Sequence, residues 1–176
     1  MKKLSTTELN RISVEEFQDT DKIPLVVVLD NLRSMHNVGA AFRTGDAFAI
    51  EKLMLCGITA QPPHRDIQKT ALGATDSVVW EYVSRTEDAL RSLKEQGYRI
   101  CIIEQTNESV SLAEFTFKPN EKYAVVFGNE AFGVDDSALP LADVALEIPQ
   151  YGTKHSLNVS VCLGVVLWEA VKGLRG

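Results

Sequence analysis

Cysteine is scarce in this sequence, and its arrangement gives no sign of a metal site. Of the 176 residues only three are cysteine, Cys56, Cys101 and Cys162, and all three lie in apolar runs. They form no Cys-x-x-Cys pair and no cluster with histidine, which are the arrangements typical of zinc ligands. We therefore interpret them as small buried apolar side chains and expect no metal centre.

Long apolar runs and an excess of basic residues are also missing. No apolar run is long enough to span a bilayer, and the N-terminus carries Lys2 and Lys3 without the apolar segment of a signal peptide. We therefore expect a cytoplasmic protein. The net charge of −6 and the pI of about 5.1 argue against nucleic-acid binding across the whole surface. A local basic patch is compatible with that charge.

Length and composition favour a single α/β domain. The 176 residues are 45% hydrophobic and 24% charged, as in an ordinary globular domain. We predict helices over residues 6–18, 37–50, 86–97 and 156–175, and strands over residues 25–30, 52–57, 77–83, 98–105, 123–127 and 143–149. This alternation predicts a mainly parallel sheet flanked by helices, with ligands bound at the carboxyl ends of the strands. We expect residues 1–176 to form one domain, in which residues 1–23 are a short helical extension.

Local signals mark the starts of several predicted helices. Ser13 and Glu16 have the spacing of a capping box, in which each side chain bonds the other residue's backbone. Thr86 and Ser156 are the expected N-caps of the helices that follow them.

The last predicted helix is apolar on nearly its whole surface. One stripe consists of Leu157, Val161, Val165 and Trp168, and a second stripe consists of Val159, Cys162, Val166 and Ala170. A helix of this kind must be covered on more than the side that faces its sheet. We expect another subunit to provide the second cover.

Three polar clusters follow predicted strands, at residues 31–43, 127–133 and 148–160. In the first, Arg43 lies among apolar neighbours of a predicted helix, and we expect it to be buried. A buried arginine needs an acceptor. A carboxylate of Asp46 or Glu51 and a substrate phosphate are equally good acceptors at this point.

The second cluster, FGNEAFG, contains glycines with nucleotide-loop spacing but no complete nucleotide fingerprint. Gly128 and Gly133 permit positive φ or a close backbone approach. No Gly-Lys-Ser/Thr follows them, and the chain has no G-x-G-x-x-G. An ordinary turn remains a possible reading, although Glu130 between the two glycines points to a function.

The third cluster lies at the start of the last helix. Asn158 stands between Leu157 and Val159, where a buried amide must find a hydrogen-bond partner. Lys154 and His155 are either solvated loop residues or part of an anion site at the helix N-terminus.

Together the three clusters resemble the motifs of the SpoU (TrmH) family of RNA ribose 2′-O-methyltransferases, which belongs to the SPOUT superfamily. The resemblance covers residues 24–172. The first motif, N-x-G-x-x-x-R, is present as Asn37, Gly39 and Arg43. The second, FGxExxG, spans residues 127–133. The third, IP-x-x-G followed by SLNVS, spans residues 148–160.

This resemblance implies a fold, a cofactor and an assembly. The family folds as an α/β domain with a C-terminal trefoil knot, binds S-adenosyl-L-methionine and acts as a homodimer through the C-terminal helix and knot region. The positions that it implies for cofactor binding are Glu104, Gln105, Gly128, Ile148 and Leu157.

The resemblance also implies a catalytic group. We expect Arg43 to bind the phosphate beside the target ribose and to stabilise the developing alkoxide, and to reach the other subunit's cofactor site. The residues expected to orient Arg43 and the ribose are Asn37, Glu130, Ser156 and Asn158. The residues expected to contact RNA are Arg33, His36, Arg65, Lys154 and His155.

The substrate implied by the resemblance is transfer RNA or ribosomal RNA. We favour transfer RNA, because the sequence shows no accessory domain of the kind found in ribosomal-RNA relatives. Two alternatives remain. One is a knotted methyltransferase that modifies a base, and the other is a non-catalytic RNA-binding protein of the same fold.

Overall fold

A seven-stranded sheet forms the centre of the computed structural model, which describes residues 1–5 and 7–175. The strands are β1 Ile23–Asp30, β2 Ile50–Cys56, β3 Trp80–Val83, β4 Tyr98–Ile103, β5 Val110–Ser111, β6 Lys122–Phe127 and β7 Val144–Glu147. The helices are α1 Val14–Asp19, α2 Met35–Phe48, α3 Arg65–Ala71, α4 Ala74–Ser77, α5 Thr86–Glu95 and α6 Val159–Leu174. Short 3₁₀ helices span Thr7–Leu9 and Leu139–Leu141. The helix predicted from residue 6 is thus divided, and Thr6 itself lies outside the described residues.

The strand order is β3-β2-β1-β6-β4-β7-β5, and every pairing between these strands is parallel. The predicted parallel sheet flanked by helices is therefore confirmed. Strand β5 was not predicted, because its two residues carry no apolar run and pair only with the end of β7. The C-terminal knot stays a prediction.

Helices cover both faces of the sheet. Side chains of β1 alternate between the faces. Leu25, Val27 and Leu29 pack into the core that includes α2, α3 and α6. Val26 and Val28 belong to the second core, which includes α5. Burial on both faces explains why β1 reads as a continuous apolar run.

The parallel arrangement decides where the polar clusters meet. Strands β1, β6, β4 and β7 are consecutive neighbours in the sheet. Their carboxyl ends lie along one edge, so the segments that follow them are brought together there.

Two of the three expected caps are wrong. The capping box is present: Ser13 Oγ accepts a hydrogen bond from Glu16 N at 3.1 Å, and Ser13 N donates to Glu16 Oε2 at 2.8 Å. Thr86 is not an N-cap, because its hydroxyl donates to the buried carboxylate of Asp30. Nor is Ser156, because α6 begins three residues later and Asn158 caps it by accepting from Ser160 N at 2.9 Å.

Helix α6 has one buried face and one exposed apolar face. Val166 and Leu167 are fully buried, whereas Val161 and Trp168 are 54% and 53% exposed. The described residues of the chain itself thus leave one face of α6 uncovered, and the covering subunit stays a prediction. No helix of the described residues is long and apolar enough to cross a membrane.

The cysteines lie in apolar surroundings, as expected. Cys56 and Cys101 are buried and Cys162 is partly buried. Burial raises the pKa of the Cys56 and Cys101 thiols to about 12. Because the thiolate is the reactive form, these two side chains are inert near neutral pH.

Gly39 of the first motif allows α2 and α3 to pack closely. A Cβ atom at this position would lie 2.1 Å from Thr70 Oγ1 and 2.2 Å from the Ile67 carbonyl oxygen. The second neighbour is backbone, so α3 itself would have to move. Gly39 therefore serves helix packing, a role that its motif did not reveal.

We predict that Gly39→Ala lowers the free energy of unfolding by about 1–3 kcal/mol, as overpacking does in other cores. Urea denaturation followed by circular dichroism would measure the change. Gly152→Ala is the matched control, because a Cβ there meets nothing within 4 Å and the backbone is not left-handed. Equal stability of the two variants would contradict the close-packing role.

Candidate active site

A cleft of about 370 Å³ lies at the carboxyl edge of β4, β6 and β7. Its volume is within the usual range for small-molecule sites. The lining residues are Ile103, Glu104, Gln105, Phe127, Gly128, Asn129, Glu130, Ala131, Phe132, Gly133, Leu146, Glu147, Ile148, Gln150, Ser156, Leu157, Val159 and Cys162. They come from three segments of the chain, residues 103–105, 127–133 and 146–162.

All five residues expected at the cofactor line this one cleft: Glu104, Gln105, Gly128, Ile148 and Leu157. Their placement follows from the sheet order, because β4 has β6 on one side and β7 on the other.

The loop after β6 depends on both of its glycines. Gly133 has a φ of +72°, and a Cβ at Gly128 would lie 2.1 Å from the Gly133 carbonyl carbon. Glu104 Oε2 accepts a hydrogen bond from Val134 N at 3.1 Å. The loop is therefore a tight, fixed turn against the end of β4.

Asn129 organises the same loop, and sequence analysis missed it. Its Nδ2 donates to the Asn31 carbonyl oxygen at 2.7 Å, which ties the loop to the end of β1. Its Oδ1 accepts from Ala131 N at 2.9 Å and Phe132 N at 3.2 Å. Asparagine commonly bonds the backbone two residues onward in turns, so its identity was a usable signal.

The carboxylate of Glu130 joins the second motif to the first. It accepts hydrogen bonds, each of 2.9 Å, from Arg33 N, Ser34 N and Asn37 Nδ2. Arg33 and Ser34 immediately precede α2, so the carboxylate also lies at the positive end of the helix dipole. Partial burial raises the pKa of Glu130, but the hydrogen bonds outweigh it and hold the pKa below its usual value.

Asn37 links Glu130 to the third motif. Asn37 is buried, and its Oδ1 lies 3.5 Å from Asn158 Nδ2, at the limit of a hydrogen bond. Asn158 Oδ1 in turn accepts from Ser160 N at the start of α6. Asn37, Glu130 and Asn158 therefore form one connected polar row, and Ser156 lines the adjacent cleft.

Arg43 departs from the expectation. It is exposed rather than buried, and it lies in a different cavity, beside Phe48 and Trp168, rather than in the cleft. Neither expected carboxylate pairs with it; Asp46 accepts from Ser77 Oγ, and Glu51 accepts from the Tyr98 hydroxyl. Within residues 1–5 and 7–175 no carboxylate forms a salt bridge with Arg43.

The five residues expected to contact RNA, Arg33, His36, Arg65, Lys154 and His155, are all exposed. Two of them are anchored beside the cleft by their backbone. Arg33 N donates to Glu130, and the His155 carbonyl oxygen accepts from Gln105 Nε2 at 3.0 Å. His36 lies further along α2, where its carbonyl oxygen accepts from Thr70 Oγ1 at 3.0 Å.

Asp30, the last residue of β1, binds the segments next to this edge of the sheet, and its role was not predicted. It is fully buried. Its Oδ1 accepts from Thr86 Oγ1 and from Asn31 Nδ2 at 2.8 Å, and its Oδ2 accepts from Asp135 N at 2.7 Å. A carboxylate that ends an apolar strand was the signal available in the sequence.

Comparison with known proteins decides the family. Residues 24–168 match the SpoU rRNA Methylase family. The chain belongs to this family. The resemblance inferred from the three motifs is therefore confirmed, and the polar row beside the cleft contains one residue of each motif.

Individual SpoU-family relatives cover most of the chain. A tRNA (guanosine(18)-2′-O)-methyltransferase of Thermus thermophilus is 34% identical over 165 residues, which are 93% of this chain and 82% of that protein. The 23S rRNA (guanosine-2′-O-)-methyltransferase RlmB of Neisseria meningitidis is 30% identical over 161 residues, 91% of this chain and 63% of that protein. An AdoMet-bound rRNA methyltransferase structure from Sinorhizobium meliloti superposes with a TM-score of 0.81 at 26% identity, covering 90% of this chain and 60% of that one.

We predict that Glu130→Gln lowers the free energy of unfolding by about 1–2 kcal/mol at neutral pH, the low part of the range for charge-assisted hydrogen bonds at a partly exposed site. The folded-state pKa of Glu130 lies below its unfolded value of about 4.3. The stabilisation is therefore present above that value and is lost as the pH falls through the folded-state pKa. Thermal unfolding of both proteins at pH 7 and pH 3 would measure it.

Glu108→Gln is the control, because Glu108 is an exposed acidic residue outside the polar row. We expect this variant to match the wild type at both pH values. A Glu130→Gln deficit that persists unchanged at pH 3 would contradict the role of the carboxylate charge.

Proposed function

We propose that this SpoU-family protein transfers a methyl group from S-adenosyl-L-methionine to a ribose 2′-oxygen of transfer RNA or ribosomal RNA. The observation that carries the proposal is the polar row of Asn37, Glu130 and Asn158 beside a cleft of cofactor size. These residues come from all three motifs and are far apart in sequence. A mere turn or cap would not require them to meet.

The chemistry of the cleft fits S-adenosyl-L-methionine. Apolar side chains of Ile103, Leu146 and Ile148 suit the adenine ring and the methylene groups. Carboxylates of Glu104 and Glu147 suit the positive charges of the cofactor. When bound, the cofactor supplies an electrophilic methyl group on a sulfonium centre.

The protein's own contribution is positioning and charge stabilisation. Holding the ribose oxygen at attack distance supplies part of the roughly 7–11 kcal/mol available from orientation. Glu130 is a poor general base, because its lowered pKa keeps it ionised and weakly basic and three donors already occupy it. We propose that Glu130 orients Asn37 and the start of α2.

We propose that Arg43 acts across a homodimer. Arg43 is exposed and outside its own chain's cleft, and the exposed apolar stripe of α6 lies beside it through Trp168. A second copy docked on this face would bury Val161, Val165 and Trp168 and take Arg43 to the partner's cleft. There its guanidinium would bind the flanking phosphate and the developing alkoxide, since it cannot itself act as a base.

Transfer RNA is the favoured substrate. The relative that acts on tRNA is matched over a larger share of its length, and at higher identity, than the relative that acts on 23S rRNA. The same proposal has three further parts. Residues 1–176 form one catalytic domain with a helical extension at 1–23, the C-terminal part forms the trefoil knot, and the protein is cytoplasmic.

We predict that the wild-type protein transfers labelled methyl from S-adenosyl-L-methionine to unmodified tRNA transcripts, and that Arg43→Ala reduces the rate by about 10²–10³-fold, as loss of an electrostatic stabiliser does. Nuclease digestion would locate the label on a ribose 2′-oxygen. Arg91→Ala, which removes an exposed arginine of α5, is the control and should leave the rate unchanged.

Each other result has a distinct meaning. Label on ribosomal RNA alone would change the substrate, and label on a base would indicate the base-modifying alternative. Absence of both methyl transfer and cofactor binding would favour the non-catalytic RNA-binding alternative.

We predict that Val165→Glu converts a dimer to a monomer, because it places a charge in the exposed apolar stripe of α6. Sedimentation equilibrium would measure the mass. Val79→Glu is the matched control, since Val79 is 56% exposed and lies before β3, away from α6. A monomeric wild type would overturn the homodimer.

An activity assay on mixed variants tests whether the two subunits share a site. Arg43→Ala and Gly128→Val should each be inactive alone. Mixing them after mild dissociation should restore activity, because one cleft of a mixed dimer is then complete. Mixed dimers that form but stay inactive would mean that Arg43 serves its own chain's site.

A further inference from the structure

The two most exposed large apolar side chains after Met1 are both aromatic, and one of them lines the cleft. Phe132 is 87% exposed and lines the cleft, and Tyr151 is 96% exposed beside the cleft residue Gln150. Single exposed apolar side chains are ordinary on protein surfaces. A large aromatic ring that lines a concave site and is 87% exposed is not explained by that generality.

The loop that displays Phe132 is fixed rather than free. Phe132 N donates to Asn129 Oδ1, and Asn129 and Gly133 exchange two backbone hydrogen bonds of 2.8 and 2.9 Å around it. Loop ordering is one of the main costs of binding, and here it is already met by the fold. A ring on a fixed turn is therefore suited to contact a ligand.

A cationic residue is held by its backbone against the loop that carries Phe132. Arg33 N donates to Glu130, which is two residues before Phe132. The Arg33 side chain is exposed and forms no salt bridge with any carboxylate among the described residues. Cationic side chains beside exposed aromatic rings are the chemistry by which proteins hold unpaired nucleotides.

We propose that Phe132 stacks on a nucleobase of the RNA substrate, at the target nucleotide or the one next to it. This inference rests on the proposed function, which brings the target ribose into the cleft and therefore its base to the rim where Phe132 lies. Every base has a π-face, so the contact contributes affinity and orientation rather than base identity.

The test compares four substitutions in the full-length protein. Fluorescence anisotropy measures the Kd of a labelled, unmodified tRNA transcript, and calorimetry measures the Kd of S-adenosyl-L-methionine. We expect Phe132→Ala and Phe132→Leu to weaken RNA binding by about 5- to 100-fold, the range for loss of one base–aromatic stack. We expect Phe132→Trp to bind RNA with wild-type affinity, because an aromatic ring is retained. Val79→Ala, at an exposed apolar site away from the cleft, should match the wild type.

Each contrary outcome points to a different occupant. Wild-type RNA affinity in Phe132→Leu would mean that the residue 132 side chain makes an apolar contact without stacking on a base. An equal loss of S-adenosyl-L-methionine affinity in Phe132→Ala would mean that the ring covers the cofactor. A change in sedimentation mass would place Phe132 against a second copy. RNA binding unchanged in Phe132→Ala would overturn the stacking alone, whereas a wild type that binds the cofactor but no tRNA or rRNA would overturn the proposed function.

Discussion

The carboxylate of Glu130 is the interaction on which the candidate active site depends. It accepts from three donors that lie 93 to 97 residues earlier in the chain. Through them it fixes the start of α2, the orientation of Asn37 and the position of the loop after β6. Without this side chain, two backbone N–H groups and one amide would lose their acceptor at a helix N-terminus, where an anion is favoured.

The surrounding scaffold makes this bond possible. Parallel strands bring the ends of β1, β6, β4 and β7 to one edge, and Asp30 anchors that edge by holding Asn31, Thr86 and the loop at Asp135. Helix α2 is fixed at its start by Glu130 and packed tightly against α3 at Gly39. The site is therefore rigid where the three motifs meet.

The same structure leaves other features unpartnered within one chain. Arg43 and the apolar stripe of α6 face outwards together, while the basic residues expected at RNA lie exposed around an acidic protein of net charge −6. Two of these residues, Arg33 and His155, are held beside the cleft by their backbone, and the attraction of Arg33 for a phosphate is screened beyond a Debye length of about 8–10 Å. This arrangement agrees with an enzyme that handles RNA at one site rather than over its whole surface.

Residue patterns predicted the α/β class, the parallel sheet and the capping box at Ser13, and the resemblance to the SpoU family implied the five cleft residues. The fold class, the sheet and the capping box follow from apolar periodicity and capping residues read along the chain, which are local quantities. The packed fold was needed to show that Thr86 bonds Asp30, that Asn158 rather than Ser156 caps α6, that Asn129 holds the loop after β6 and that Arg43 is exposed. The partners that decide the first and third of these lie 56 and 98 residues away, and the exposure of Arg43 depends on which helix face meets the sheet. A local sequence pattern does not identify such a partner or the exposed face of a helix, because both depend on how whole helices and strands pack together.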